Sequence, residues 1–90
     1  MTGVKKSMEW DHRVYKALLR ALAPMPPHVK SKVVQRVISY VEDYAKRLGA
    51  GKVEFEHLYN ASKELLRDKD RYMLDALLEA LRAEGFSVPE

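Results

Sequence analysis

Apolar residues recur along the first quarter of the chain at intervals of three and four, the period of an amphipathic α-helix. Asp11 precedes this run and is a good N-cap residue, while Trp10 can pack on Tyr15 as a hydrophobic staple. Pro24 prevents the helix from continuing. We therefore predict a first helix over residues 12–23. Its apolar positions are Val14, Tyr15, Leu18, Leu19 and Leu22.

A longer apolar run begins at the prolines of the stretch PMPPHVKSKV, residues 24–33. Proline is tolerated in the first turn of a helix because its missing N–H would have no intrahelical partner there. Gly49 can adopt the left-handed conformation that closes a last turn. The pattern predicts a second helix over residues 27–48, joined to the first by a tight turn as an antiparallel hairpin. Its apolar positions are Val29, Val33, Val34, Val37, Ile38, Val41, Tyr44, Ala45 and Leu48.

Two shorter amphipathic runs predict a third helix over residues 55–67 and a fourth over residues 70–84. Glu54 is a mediocre cap for the third helix, and either Asp68 or Asp70 can cap the fourth. No residue between these two segments forbids a helix, so one continuous helix is an open alternative.

The end of the fourth helix is marked by Gly85 and Phe86, which predict a Schellman closure in which Phe86 contacts Leu81. Four amphipathic segments with short connections predict an all-α fold. We expect a small bundle of three to four helices that forms a single domain over residues 1–90.

The composition, with 47% hydrophobic and 32% charged residues, is typical of a soluble globular domain. No apolar stretch approaches the roughly 20 residues that span a bilayer, so we expect a cytoplasmic protein without a membrane segment. The chain contains no cysteine, which excludes disulfides, thiolate ligands for an iron–sulfur cluster and a cysteine nucleophile.

The net charge of +3 is unevenly distributed along the chain. Residues 1–52 carry eleven lysines and arginines against four acidic residues, whereas residues 53–90 carry five against nine. A basic face on the first two helices is therefore a candidate contact surface for a partner, and the corner formed by Pro26, Val29 and Lys30 is the best candidate within it. Antiparallel packing of these helices would place Lys30 close to Arg20. The candidate contact residues are Lys16, Arg20, His28, Lys30 and Arg36.

The same basic face is compatible with nucleic acid as an alternative partner, although no recognised nucleic-acid motif accompanies it. Pro26 and Pro27 weaken the hypothesis of a phosphate site at the start of the second helix, because they remove amide donors. Seven aromatic residues suggest a further alternative, a pocket for a planar, tetrapyrrole-like ligand, although such residues more often belong to the core. They are Trp10, Tyr15, Tyr40, Tyr44, Phe55, Tyr59 and Tyr72.

The sequence shows no catalytic motif. His12, His28 and His57 lie at or near predicted helix starts, and their spacing matches no metal-ligand signature, so we interpret them as exposed helix-start residues. The serines lie in no nucleophile elbow, and no glycine-rich phosphate loop is present. We expect neither enzyme activity nor a cofactor or metal site.

Several short motifs follow one another in an order that resembles a known family. They are Trp10-Asp11, Pro26-x-x-Val29-Lys30, Tyr44-Ala45-Lys46 with Gly49, and Val53-x-x-Glu56-His57-Leu58-x-x-Ala61. In this order they resemble the small helical domain at the C-terminus of the B subunit of light-independent (dark-operative) protochlorophyllide reductase. The resemblance covers residues 10–65, and residues 66–90 add the fourth helix. Lys30 stands where arginine is usual in the family, and Glu54 stands where a threonine-like cap is usual.

The family's enzyme is an ATP-dependent reductase whose larger subunits hold iron–sulfur clusters and a tetrapyrrole substrate in chlorophyll biosynthesis. This chain has neither the cluster cysteines nor the large domains, so the resemblance implies an accessory domain and not the reductase activity. We predict a non-catalytic helical module that binds a protein partner, and the resemblance implies a redox-enzyme subunit as that partner. An apolar face at Val34 and Ile38 is open to two interpretations, homodimerisation or burial by the fourth helix.

Overall fold

The computed structural model describes residues 6–67 and 70–89, which are mainly helical. Four helices are present in this part of the chain: α1 (His12–Leu22), α2 (Pro27–Arg47), α3 (Phe55–Leu65) and α4 (Arg71–Ala83). Two short strands, β1 (Glu9–Trp10) and β2 (Lys52–Val53), accompany them. The predicted all-α bundle is confirmed, and each helix is slightly shorter than predicted.

The start of α1 is capped as its sequence predicts. The carboxylate of Asp11 accepts hydrogen bonds from the backbone N–H groups of Arg13, at 2.9 Å, and Val14, at 3.2 Å. The ring of Trp10 lies 5.6 Å from the ring of Tyr15 in an edge-to-face arrangement, which confirms the hydrophobic staple. A side-chain cap of this kind contributes about 1 kcal/mol to stability.

Helices α2 and α4 are both followed by a glycine with positive φ. Gly49 has a φ of 77° and Gly85 a φ of 97°, values at which an ordinary side chain would be strained. After α4, the N–H of Phe86 donates to the carbonyl of Leu81 at 3.1 Å, which confirms the predicted Schellman closure. The same hydrogen-bond pattern closes α2 at Gly49.

Helices α3 and α4 are separate, which answers the question that their sequences left open. Helix α3 ends at Leu65, and α4 begins at Arg71. Asp70, one of the two predicted caps, is the N-cap residue of α4, but its side chain makes no capping hydrogen bond. The alternative cap, Asp68, lies outside the described residues.

His57 contradicts the prediction that all three histidines are exposed. It is only 6% exposed, whereas His12 and His28 are exposed. The backbone N–H of Glu54 donates to Nδ1 of His57 at 2.9 Å, which satisfies a backbone donor at the start of α3. His57 is therefore a structural residue of the first turn of α3.

The helices pack mainly in two pairs. Helix α1 lies against α4, and α2 lies against α3, whereas α1 and α2 meet at few positions. Arg13, near the start of α1, donates to the carbonyl of Glu84 at the end of α4, so these two helices run antiparallel. The tight turn between α1 and α2 is present, but the main neighbour of α1 is the C-terminal helix.

One hydrophobic core receives side chains from all four helices and from both strands. Val34 and Ile38 belong to it and are only 2% and 0% exposed. The apolar face that left homodimerisation open is therefore covered within the chain. Other fully buried side chains are Val14, Leu18, Val37, Val41, Val53, Leu58, Leu77 and Leu81.

The pairing of β1 with β2 was not predicted. The two strands are parallel, with Glu9 opposite Lys52 and Trp10 opposite Val53. The N–H of Asp11 donates to the carbonyl of Val53 at 2.8 Å, which fixes the cap of α1 beside the start of α3. Strands this short escape sequence-based detection, because alternation becomes visible only over roughly four to eight residues.

Candidate functional site

An apolar cleft lies where the turn between α1 and α2 meets the first turns of α4; we call it the corner cleft. Its volume is about 370 Å³, which is large enough to receive a bulky side chain. Tyr72 forms part of its wall and is 65% exposed. The lining residues are Ala21, Leu22, Pro24, Met25, Pro26, Tyr72, Met73 and Ala76.

Prolines shape one wall of the corner cleft. Pro24 follows the end of α1, Pro26 is the N-cap of α2 with φ −58° and ψ 142°, and Pro27 begins α2. Each proline restricts its own φ and the conformation of the preceding residue, so this turn has few alternative conformations. The N–H of Met25 also donates to the carbonyl of Leu22 at 3.1 Å. The wall is therefore rigid before any partner binds.

Two of the predicted contact residues lie at this corner. Nζ of Lys30 donates to the carbonyl of Ala23, the C-cap residue of α1, at 3.3 Å. A cation is favourable there because the carbonyl end of a helix carries partial negative charge. His28 is exposed in the first turn of α2. Lys30 therefore places a positive charge next to the proline turn, and His28 directly follows Pro27.

Lys16 and Arg20 lie on a different surface from Lys30. Each approaches Oε2 of Glu84 to 3.9 Å, near the end of α4. The side chain of Glu84 is only 11% exposed, whereas both cations are largely exposed. The structure therefore does not gather the predicted contact residues into one basic face.

The fifth predicted contact residue, Arg36, projects from the outer face of α2. It lies beside Ser31, Lys32, Gln35 and Ser39 on the same open surface of the helix. We call these five residues the α2 ridge. Nε2 of Gln35 donates to Oγ of Ser39 at 3.3 Å. Cations and hydroxyl or amide groups thus alternate along this ridge.

Glu42 is a buried carboxylate whose role the sequence did not indicate. It lies on α2, is 4% exposed, and accepts five hydrogen bonds of 2.7–3.2 Å from four donor groups of the N-terminal segment. The donors are the hydroxyl and the N–H of Ser7, the N–H of Met8 and the indole N–H of Trp10. We call Glu42 and its three partners, Ser7, Met8 and Trp10, the Glu42 clamp.

The clamp stabilises the ionised form of Glu42. Burial by itself would raise the pKa of this carboxyl group, but the hydrogen bonds from Trp10, Ser7 and Met8 outweigh burial and lower the pKa below its ordinary value of 4.5. Nζ of Lys46 donates to Oγ of Ser7 at 3.1 Å and brings a positive charge close to the clamp. The carboxylate is therefore fully engaged in holding the N-terminal segment against α2.

A sequence signal for the clamp does exist. Glu42 stands four residues after Ile38 and three before Ala45, so it falls within the apolar stripe of α2. A charge in that position has to be compensated by hydrogen bonds or by an opposite charge. The signal identifies Glu42 as a residue that needs partners, but it does not identify the partners.

The aromatic rings that contact one another form two separate groups in the described part of the chain, and not the single cluster that the alternative of a planar-ligand pocket would need. Phe55 stacks between Tyr59, at 5.5 Å, and Phe86, at 5.1 Å. The guanidinium of Arg13 lies 4.5 Å from the ring centre of Phe86. This stack holds the C-terminal segment on α3, while Trp10 and Tyr15 form a second group.

Nine of the residues that carry the family resemblance have clear structural positions in this fold. Four are buried, three lie at helix ends, and two are partly exposed on α2. In that order they are Trp10, Ala45, Leu58 and Ala61; Asp11, Pro26 and Gly49; and Val29 and Tyr44. Burial and helix capping explain these residues without a common family. The resemblance to the protochlorophyllide reductase domain therefore stays a prediction.

Within residues 6–67 and 70–89, no three histidine, aspartate or glutamate side chains are grouped as a metal site would require. The same residues contain no helix with the length and apolar character needed to cross a membrane. No protein-family model, curated protein or solved structure matches this chain.

Proposed function

We propose that this chain is a non-catalytic helical module that binds a protein partner through the corner cleft. The observation that carries the proposal is an apolar cleft with a rigid proline wall and a largely exposed aromatic ring, Tyr72. The partner segment inserts a bulky apolar side chain into the cleft and presents acidic residues to its basic rim.

The chemistry of the lining suits a protein partner. Aromatic and methionine side chains are enriched at the centres of protein interfaces, and Tyr72, Met25 and Met73 supply both types here. Methionine also adapts its shape to an inserted side chain because it is unbranched and flexible. The rigid turn at Pro24 and Pro26 lowers the conformational entropy that binding would otherwise remove.

The charge around the cleft favours an acidic segment. Residues 12–41, which include α1, the proline turn and most of α2, contain no aspartate or glutamate. On the α4 side, Arg71 already pairs with Asp75 at 3.6 Å. An acidic partner residue would therefore meet His28 or Lys30 without facing a repelling carboxylate on that wall.

The resemblance to the protochlorophyllide reductase domain supports a redox-enzyme subunit as the partner. Its motifs include Pro26 and Lys30, which are both part of the corner. Since the resemblance covers residues 10–65, the α4 wall with Tyr72 lies outside it, and the cleft combines family-like residues with added ones.

The partner is identified by photo-crosslinking in the organism that encodes this chain. A photoreactive amino acid replaces Tyr72 in one sample and Leu48 in another; Leu48 is also a large apolar residue, 60% exposed, but lies outside the cleft. We expect one protein to be crosslinked from position 72 and not from position 48. Equal crosslinking from both positions would contradict the proposal.

The identified protein is then purified, and its affinity is measured by calorimetry for the unchanged chain and for two variants. We expect Tyr72→Ala to weaken binding at least about tenfold, since central aromatic residues carry much of the binding energy of an interface. The matched variant Leu48→Ala should bind like the unchanged chain. If both variants bind equally well, the cleft is not the interface.

A further inference from the structure

We propose that the α2 ridge is a second binding surface, which contacts the phosphate backbone of double-stranded DNA. The ridge consists of Ser31, Lys32, Gln35, Arg36 and Ser39, and it lies on the face of α2 opposite to the core. This surface is distinct from the corner cleft, so it goes beyond the proposed protein-binding function.

The cations of the ridge differ from four other cations on the surface, which lie close to carboxylates. Lys16 and Arg20 approach Glu84, Arg71 pairs with Asp75, and Arg82 pairs with Glu79. In contrast, Lys32 and Arg36 are exposed and have no ion-pair partner among residues 6–67 and 70–89. Their charge is therefore not compensated within the described structure.

The two acidic residues of α2 itself, Glu42 and Asp43, lie off the ridge. Residues 12–41, which include the whole ridge, contain no aspartate or glutamate. Asp43 is exposed one turn beyond Ser39 and marks the end of the ridge, while the carboxylate of Glu42 is turned inward into its clamp. An approaching polyanion meets no carboxylate of α2 along the ridge itself.

The spacing and shape of the ridge favour a nucleic acid over an isolated anion. Lys32 and Arg36 stand about one helical turn apart, with about 6 Å between their Cβ atoms. Ser31 and Ser39 flank them along the same face and supply hydroxyl groups. Arginine, lysine and serine side chains all bind phosphate oxygens. Helix α2 has 21 residues, and an α-helix of about 10–12 Å diameter fits the major groove of B-DNA.

Binding is tested by NMR titration with a 12-base-pair DNA duplex at several salt concentrations. Each phosphate contact lowers the logarithm of the binding constant by about 0.9 per tenfold rise in salt, so two cations predict a slope of about −2. We expect the amide signals of residues 31–39 to shift on binding. Shifts confined to other elements would contradict the proposal.

Two double variants separate the ridge from general positive charge. Lys32→Gln with Arg36→Gln removes both ridge cations and should bring the salt slope close to zero. Arg71→Gln with Arg82→Gln removes the same net charge from α4 and should leave the slope unchanged. Because all four side chains are exposed, we expect both variants to keep the unfolding temperature of the parent chain.

A poly-glutamate peptide of equal charge tests whether the ridge prefers DNA to an acidic polypeptide. We expect it to bind at least about tenfold more weakly than the duplex. The peptide offers carboxylates along a single chain, whereas the major groove is wide enough for a helix and has phosphates on both sides. Equal affinity for both polyanions, or equal slopes for the two double variants, would overturn the proposal.

Discussion

Glu42 and Arg36 lie on the same helix, less than two turns apart, but the charge of Glu42 is buried and that of Arg36 is exposed. Glu42 is 4% exposed and has hydrogen-bond donors from three residues, whereas Arg36 is exposed without an ion-pair partner in the described chain. A buried charge has to be compensated within the molecule, and that compensation fixes the structure around it. An exposed charge without a partner costs the fold little and stays accessible to a ligand.

The two faces of α2 therefore have different roles. Its inner face holds the N-terminal segment through the Glu42 clamp, and its outer face presents the α2 ridge. Stability should depend on the first region and polyanion binding on the second. Three changes test the stability side of this comparison.

The largest effect is expected from Glu42→Ala. The substitution leaves the N–H groups of Ser7, Met8 and Trp10 without their acceptor, and we expect the free energy of unfolding to fall by about 3 kcal/mol. Urea unfolding followed by circular dichroism measures this change. The matched variant Arg36→Ala, on the same helix, should change it by less than about 0.5 kcal/mol. Equal losses in both variants would refute the contrast between the two faces.

A smaller loss is expected when Glu42 is protonated. Because its pKa is lowered in the folded state, the carboxylate contributes stability above its ordinary pKa of 4.5, and that contribution is lost as the pH falls through the lowered value. Stability measured between pH 6 and pH 3 should therefore fall more steeply for the parent chain than for Glu42→Gln, which cannot ionise.

The fluorescence of Trp10, the only tryptophan, reports the same event locally. Its indole N–H lies 2.8 Å from Oε2 of Glu42, so the emission should change over the acid range in the parent chain. In Glu42→Gln the emission should not follow that transition while the chain stays folded. An identical acid transition in both chains would show that another group is responsible.

The smallest effect is expected at a buried polar group that lacks what Glu42 has. Ser62 is fully buried on α3, and its Oγ has no hydrogen-bond partner among the described residues. Removing an unsatisfied buried hydroxyl is favourable, so Ser62→Ala should stabilise the chain by up to about 1 kcal/mol. Thermal unfolding measures the gain. A loss of stability would mean that the hydroxyl is satisfied in solution.

The helices were predicted well because their signals are local. The cap at Asp11 and the glycines Gly49 and Gly85 act on hydrogen bonds only a few residues away, so their effects can be read from neighbouring positions. His57 shows the limit of local reasoning. Its position at a helix start was recognised, but its burial and its bond to Glu54 were not.

The candidate sites were predicted less well. Lys30 and Pro26 were placed correctly at a corner between two helices, but Tyr72, which completes the corner cleft, was assigned to the core or to a ligand pocket. The five predicted contact residues were expected on one face and are divided among three surfaces. Helical periodicity indicates which side of a helix is polar, but not which other helix lies beside it.

The order of residues was enough to predict the all-α class, the approximate helix ends and the apolar stripe of each helix, because these depend on residues three or four positions apart. Three features became visible only in the folded chain: α1 packs on α4, Tyr72 lies beside the proline turn, and Glu42 binds a segment more than 30 residues away. Such contacts join distant parts of the chain, and they form only when closing those long loops is outweighed by the burial of one shared core.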